Sequence, residues 1–447
     1  MNAPPHSHVP IHQEVSDDRT VCRTSPDLST VAVTTGSASD AADAPLAIVL
    51  SGAAGRGAFQ AGVLAELLPT LEREGTFPSI ILGTSAGSIN AMLWASMAHL
   101  DADDAGRRIT TIWEDMGHSR VFEPIVGSSL RATSRFASGA LLGLGRGTTS
   151  LLDTEPLRRT AHEFFNRDTF DANIERGRPD VVGVVATRLP APEGNQADAT
   201  GRSVMFLQGT PPRPYAGDPL NGHDVVAARL GVEHVMASAA IPVAFPPQRI
   251  EEPPQDAGWY VDGGVRHNTP LLPAIVMGAR RVIVVSATPT SYDPAPLAPD
   301  TSREPPDIAE TTSQVLGAML SDRVAEDLVT VRRANGTLPP IEVERDADGH
   351  YDPSNRGMGP IRYQAIAPEA GELGRLAAEA ANRLRGRSVL GGIDNLLLRR
   401  AIRGAGSATS GQRELLSYFL FDPNYFAASI EHGREAARRA LARGWLT

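Results

Sequence analysis

Ile80-Ile81-Leu82-Gly83-Thr84-Ser85-Ala86-Gly87-Ser88-Ile89-Asn90 is the stretch that decides the fold. An apolar, β-branched run stops at a Gly-x-Ser-x-Gly pentapeptide, and Ile89 through Met97 then have helical character. Strand, sharp turn and helix in that order predict a serine held above the end of a sheet with its hydroxyl exposed, Gly83 and Gly87 relieving the crowding of the turn. The following helix brings free backbone N–H groups and a partial positive charge beside that oxygen. Ser85 is the first candidate nucleophile. A Gly/Ser/Ala-rich turn can also merely connect two elements, so the rest of the chain has to decide.

A second unit of the same kind lies about thirty residues upstream. Leu46-Ala-Ile-Val-Leu50 reads as a short buried strand. After it come Ser51-Gly52-Ala53-Ala54-Gly55-Arg56-Gly57 and a helical stripe of Phe59, Val63, Leu64, Leu67, Leu68 and Leu71. The two units form a βαβ with parallel strands, which brings both turns to the carboxyl ends of neighbouring strands, where open α/β sheets bind their ligands. The glycine-rich turn is no P-loop, since no Gly-Lys-Ser/Thr follows, and its spacing fails the Rossmann fingerprint at Ala54. What it offers is a run of backbone N–H groups that suits a negative charge. Beside a serine nucleophile, that charge is the oxyanion of a tetrahedral acyl intermediate.

Serine needs a base. His432 completes the order Ser85, Asp262, His432 of an α/β-hydrolase, yet it sits in the helical stretch Ser429-Ile-Glu-His-Gly-Arg-Glu-Ala, whereas such a histidine projects from a loop. His267 reads as lining the rim, and the other histidines show no constellation. Asp262 lies where Trp259-Tyr-Val-Asp262 breaks into Gly263-Gly264. It either closes that turn or approaches the serine turn as the base itself.

Four stretches in this order resemble the patatin-like phospholipase family: Leu50-Ser-Gly-Ala-Ala-Gly-Arg-Gly-Ala-Phe-Gln-Ala-Gly-Val-Leu64; Gly83-Thr-Ser-Ala-Gly87; Ala237-Ser-Ala-Ala-Ile-Pro-Val-Ala-Phe-Pro-Pro247; and Asp262-Gly-Gly264 with Asn268-Thr-Pro270. The likeness covers roughly residues 46 to 290, with an echo in Ser417 to Tyr425. It implies an α/β, patatin-like three-layer fold with a mainly parallel central sheet and a mostly helical C-terminal extension. It also implies a lipid acyl hydrolase with no cofactor and no metal, in which Ser85 is acylated and Asp262 is its sole partner. Gly52, Ala53, Ala54, Gly55, Arg56 and Gly57 would form the oxyanion turn, helped by the N–H of Ala86, with Arg56 bracing the loop or adding positive potential. Family members usually carry three glycines where this chain has Ala53 and Ala54. Alanine keeps the N–H but resists positive φ, which bears on rate and specificity.

Strand character returns at Val181–Thr187, Ser203–Leu207 and Arg281–Ser286, while Val225 to Ala240 reads as helix. Residues 1–44, rich in Ser, Thr, Asp, Ala and Pro, read as a disordered leader, 46–290 as the catalytic domain, and 291–447 as a mostly helical region packing on or extending it. The formal charge of −10 speaks against a general nucleic-acid binder. From Gly371 onward, however, 12 Arg face 7 acidic residues. There Arg383, Arg385, Arg387, Arg399, Arg400 and Arg403 surround Ile393, Leu396, Leu397 and Leu398, a candidate element for peripheral contact with a membrane surface. The single cysteine, Cys22, leaves no internal disulfide. With neither a signal peptide nor an apolar run of the roughly 18 residues a span needs, the expected location is cytoplasmic or peripheral to membrane. All 42 basic residues are arginine, which with the abundant Ala, Gly and Pro suggests a GC-rich bacterial genome. Besides hydrolysis of a lipid substrate, two outcomes stay open: acyl transfer by the same dyad, and a non-catalytic scaffold with a degenerate oxyanion turn. The oligomeric state is not legible.

Overall fold

The structure is a computed structural model describing residues 44–121, 150, 153–190, 201–218, 223–242, 244–290, 324–337, 360–384 and 410–446. The proposed leader, Cys22, the Ile393–Leu398 element and all of its arginines except Arg383 lie outside the described residues.

Ten strands form one sheet: β1 (Leu46–Leu50), β2 (Ile80–Thr84), β3 (Val181–Arg188), β4 (Arg202–Gly209), β5 (Gly217–Asp218), β6 (His223–Ala227), β7 (Gln248–Ile250), β8 (Gly258–Asp262), β9 (Arg281–Val285) and β10 (Arg362–Ile366). Their order is β10-β9-β1-β2-β3-β4-β6-β5, with β8 paired to β3 and β7 to β8. The run from β10 to β3 is parallel, and β1, β2, β3 and β9 are apolar almost throughout, as expected of strands covered on both faces. Between and after them come α1 (Gly57–Arg73), α2 (Ala86–Met97), α3 (Ala102–Asp115), α4 (Glu155–Phe164), α5 (Arg167–Glu175), α6 (Val232–Ser238), α7 (Leu271–Val276), α8 (Val324–Thr337), α9 (Glu372–Leu384), α10 (Ser410–Phe419) and α11 (Pro423–Arg443).

The alternation of β1 shows why three layers form. Leu46, Ile48 and Leu50 face one core with Phe59, Leu64 and Leu67 of α1 and Phe426 and Ile430 of α11. Ala47 and Val49 face the other, with Leu271 and Ile275 of α7 and Leu328 of α8. Period-two side chains on a strand buried on both faces demand a helix layer on each.

The expected helix from Val225 to Ala240 is replaced by a strand and a shorter helix. His223–Ala227 pairs parallel with β4, and only Val232–Ser238 is helical. Val225-Val226 favours extended backbone, and Gly231, with its own φ of −154°, starts the helix afresh.

Helices α1 and α11 meet through glycines: a Cβ on Gly62 would lie 2.0 Å from the Ile430 carbonyl oxygen, and one on Gly433 would lie 2.1 Å from that of Phe59. Gly433→Val should therefore cost about 1–3 kcal/mol through overpacking, read as a lower denaturation midpoint at unchanged m.

Candidate active site

The register of β3 builds the site. β2 accompanies β3 up to the pair Thr84–Val185 and then ends. β3 continues, and β8 takes up the edge β2 has vacated, running antiparallel with Asp262 opposite Ala186. The residue after β2 and the last residue of β8 thus arrive at the same place. Ser85 Oγ donates a 2.6 Å hydrogen bond to Asp262 Oδ2.

Ser85 adopts φ 54° and ψ −126°, a left-handed backbone that a side chain tolerates only when its surroundings impose it. Two of those surroundings are visible. Ser238 Oγ accepts the Ser85 N–H at 2.8 Å while donating to the Val185 carbonyl at 2.5 Å, which ties the turn to β3. A Cβ on Gly87 would lie 2.4 Å from the Leu50 carbonyl oxygen, so the start of α2 presses against the end of β1.

Asp262 is held on both sides. Its Oδ1 accepts the Gly264 N–H at 2.7 Å, and its carbonyl oxygen accepts Thr187 Oγ1 at 3.0 Å. Ser85 and Asp262 are only 3% and 2% exposed. Burial pushes the Asp262 carboxyl up to about 7, against the opposing pull of the hydrogen bonds from Ser85 and Gly264.

In the upstream turn the N–H donors narrow. That of Gly52 is taken by the Asn268 carbonyl, that of Arg56 by Ala53, and that of Gly57 by Ala54. Among the described residues the N–H groups of Ala53, Ala54 and Gly55 meet no protein acceptor, and that of Ala86 is freed by its place at the start of α2. Ala54 sits at φ 45°, the strain its side chain foretells, at a cost of roughly 1–2 kcal/mol.

Arg56 points away from Ser85, into the C-terminal helices. Its Nε donates to Ser417 Oγ at 2.7 Å and its Nη1 to the Ala287 carbonyl and Tyr418 Oη, both at 3.1 Å. Its Nη2 pairs with the Glu414 carboxylate. The side chain is 2% exposed and braces the turn from behind; it adds no free cation to the site. A buried chain of amides supports the same turn: Trp113 Nε1 donates to Asn90, Asn90 to Gln60, and Gln60 to the Ser51 and Val285 carbonyls.

His432 lies on α11, its ring 5.8 Å from that of Phe59, and burial lowers its pKa. His267 packs 4.7 Å from the ring of His223, and burial beside that second imidazole pushes it down to about 4. Sequence reasoning missed Ser238, Thr187, Asn268 and Gln60 as parts of the site, although Ser238 and Asn268 stand inside the stretches that carried the resemblance. No group of three or more His, Cys, Asp or Glu able to hold a metal ion occurs among the described residues.

The family model described as patatin-like phospholipase matches residues 48–275. No relative was found among curated protein sequences. Solved structures similar to this chain include VipD from Legionella pneumophila, with a TM-score of 0.30 and 12% identity over 90% of this chain and 67% of that one. Human GIVD cytosolic phospholipase A2 matches with a TM-score of 0.36 and 11% identity over 89% of this chain. The match spans 61% of that enzyme's own length.

The raised Asp262 pKa has a sign that thermal melts can read. The unfolded carboxyl ionises near 3.8 and the folded one near 7, so this group's stabilisation is complete below 3.8 and is lost as pH rises through 7. Asp262→Asn should melt above the native protein at pH 8, with the gap shrinking as pH falls toward 5.

Proposed function

Because the chain belongs to the patatin-like phospholipase family, we propose that it is a serine lipid acyl hydrolase working through an acyl-Ser85 intermediate with Asp262 as base. The 2.6 Å bond from Ser85 Oγ to Asp262 Oδ2 at a strained turn carries the reading. Ser85 Oγ attacks the acyl carbonyl carbon while Asp262 Oδ2 takes its proton. The carbonyl oxygen, now negative, is met by the open N–H groups of the upstream turn and of Ala86. As the intermediate collapses, the ester C–O bond breaks and the leaving alcohol takes the proton from Asp262. Water then repeats the sequence on the acyl-enzyme, giving up its proton to Asp262 and releasing the fatty acid and free Ser85.

An ordinary carboxylate is a weak base toward a hydroxyl; pushed up to about 7 by burial, the Asp262 carboxyl is poised for proton transfer near neutrality. An apolar cavity of about 50 Å³ along α2, lined by Ile89, Leu93, Met116, Phe164 and Met236, begins four residues beyond Ser85 in the chain and offers the apolar lining that the first methylenes of an acyl chain need. The contacts of Arg56 support 46–290 as the catalytic domain with 291–447 bracing it. No helix among the described residues is long and apolar enough to cross a membrane. Peripheral contact with a lipid surface is the proposed mode of access, as the lipid substrate of the family suggests. Acyl transfer would use the same intermediate with an alcohol or thiol in place of water.

Fluorophosphonate labelling and ester hydrolysis test the proposal. Ser85→Ala should lose the adduct, Ser85→Ala and Asp262→Asn should each lose about 10⁴-fold or more in turnover, and His432→Ala should keep both activities. Loss in His432→Ala with a live Asp262→Asn enzyme would sink the dyad. In the native enzyme kcat/KM should rise with pH through an apparent pKa of about 7, since only ionised Asp262 accepts the proton.

A further inference from the structure

Asn268 is 9% exposed, and neither its Oδ1 nor its Nδ2 meets a hydrogen-bond partner among the described residues. A buried primary amide left without partners is costly, and its persistence needs a reason. Its surroundings supply one. A Cβ on Gly52 would fall 2.1 Å from Asn268 Oδ1 and 3.4 Å from Ser85 Cβ. A Cβ on Gly264 would fall 2.8 Å from the same Asn268 oxygen and 3.0 Å from Asp262 Oδ1. Two motif glycines from different turns are thus cleared for one amide, which lies between the upstream turn, the nucleophile and the base.

The main chain of Asn268 sharpens the point. Its carbonyl accepts the Gly52 N–H at 3.1 Å, withdrawing from the site a donor that the turn would otherwise offer. No hydrogen bond among the described residues holds either end of this amide, so a half-turn about its Cβ–Cγ bond puts Nδ2 where Oδ1 stands, toward Gly52 and Gly264. We propose that the Asn268 side chain, so turned, replaces that donor: its amide N–H binds the substrate carbonyl oxygen as it becomes the tetrahedral oxyanion, making Asn268 a further catalytic residue. Side-chain amides serve this role well, being neutral, directional and able to donate without titrating. With no ground-state partner, the amide spends nothing on breaking a bond when negative charge develops, so its contribution falls on the transition state. The inference rests on the acyl-Ser85 reading.

The test is Asn268→Leu, which keeps the shape and removes both polar atoms. Exchanging an unpaired buried amide for an apolar isostere should leave the melting temperature unchanged or raise it. Turnover of a soluble p-nitrophenyl ester should fall about 10²- to 10³-fold with KM nearly constant. Inactivation by a fluorophosphonate, whose phosphoryl oxygen occupies the same position, should slow in proportion. Asn268→Ala, in which nothing new must fit, should lose turnover to the same degree. Turnover within threefold of the native enzyme in both variants overturns the assignment. So does a loss accompanied by a fall in melting temperature in both, which would make Asn268 a structural residue. If the native protein forms no adduct at Ser85, the acyl-enzyme reading falls and takes this one with it; a native adduct with undiminished turnover in Asn268→Leu overturns the role of Asn268 alone.

Discussion

One strand outlasting its neighbour is the constraint on which the site depends. β3 carries β2 on its edge as far as Val185 and β8 from Ala186 onward, so a parallel and an antiparallel partner meet end to end on the same edge. The junction leaves Ser85 and Asp262 within hydrogen-bond reach and buries both. Ser238 and Thr187 then fix the two sides of the junction through the Val185 and Asp262 carbonyls. Desolvation of the carboxylate follows from this geometry with no further device, and with it the raised Asp262 pKa on which the proposed base role rests.

The upstream turn is restrained from the opposite side. Its backbone must leave several N–H groups without partners, an arrangement that would collapse or fill if the turn were free to relax. Arg56 holds it to α10, the Gln60–Asn90–Trp113 chain holds it to α2 and α3, and Asn268 holds Gly52. Ala54 at positive φ shows that these restraints outweigh a local penalty.

Much of this was legible in the sequence because its signals are local. A β-branched run ending at Gly-x-Ser-x-Gly, a helical stripe after a glycine-rich turn, and an aspartate at a strand end each need only a few neighbouring residues to be read. The family match over residues 48–275 and the three-layer arrangement agree with that reading. Val225 to Ala240 went astray because alanines and valines in a short window fit either period, and the pairing of His223–Ala227 with β4 decided the matter. Ser238 and Asn268 were visible as letters in longer motifs, but their partners Ser85 and Gly52 lie 153 and 216 positions away, across the sheet. The direction of Arg56 was illegible for the same reason, its acceptors standing 361 and 362 residues downstream.

That last separation bears on biosynthesis. A chain growing from its amino end exposes Ser85, Asp262 and the upstream turn long before Ser417 and Tyr418 have been made. Until they arrive, Arg56 lacks the acceptors in α10 that hold its turn from behind. The growing chain thus carries Ser85 and Asp262 before the brace behind the upstream turn exists. The setting of that turn waits until α10 has been made and packed.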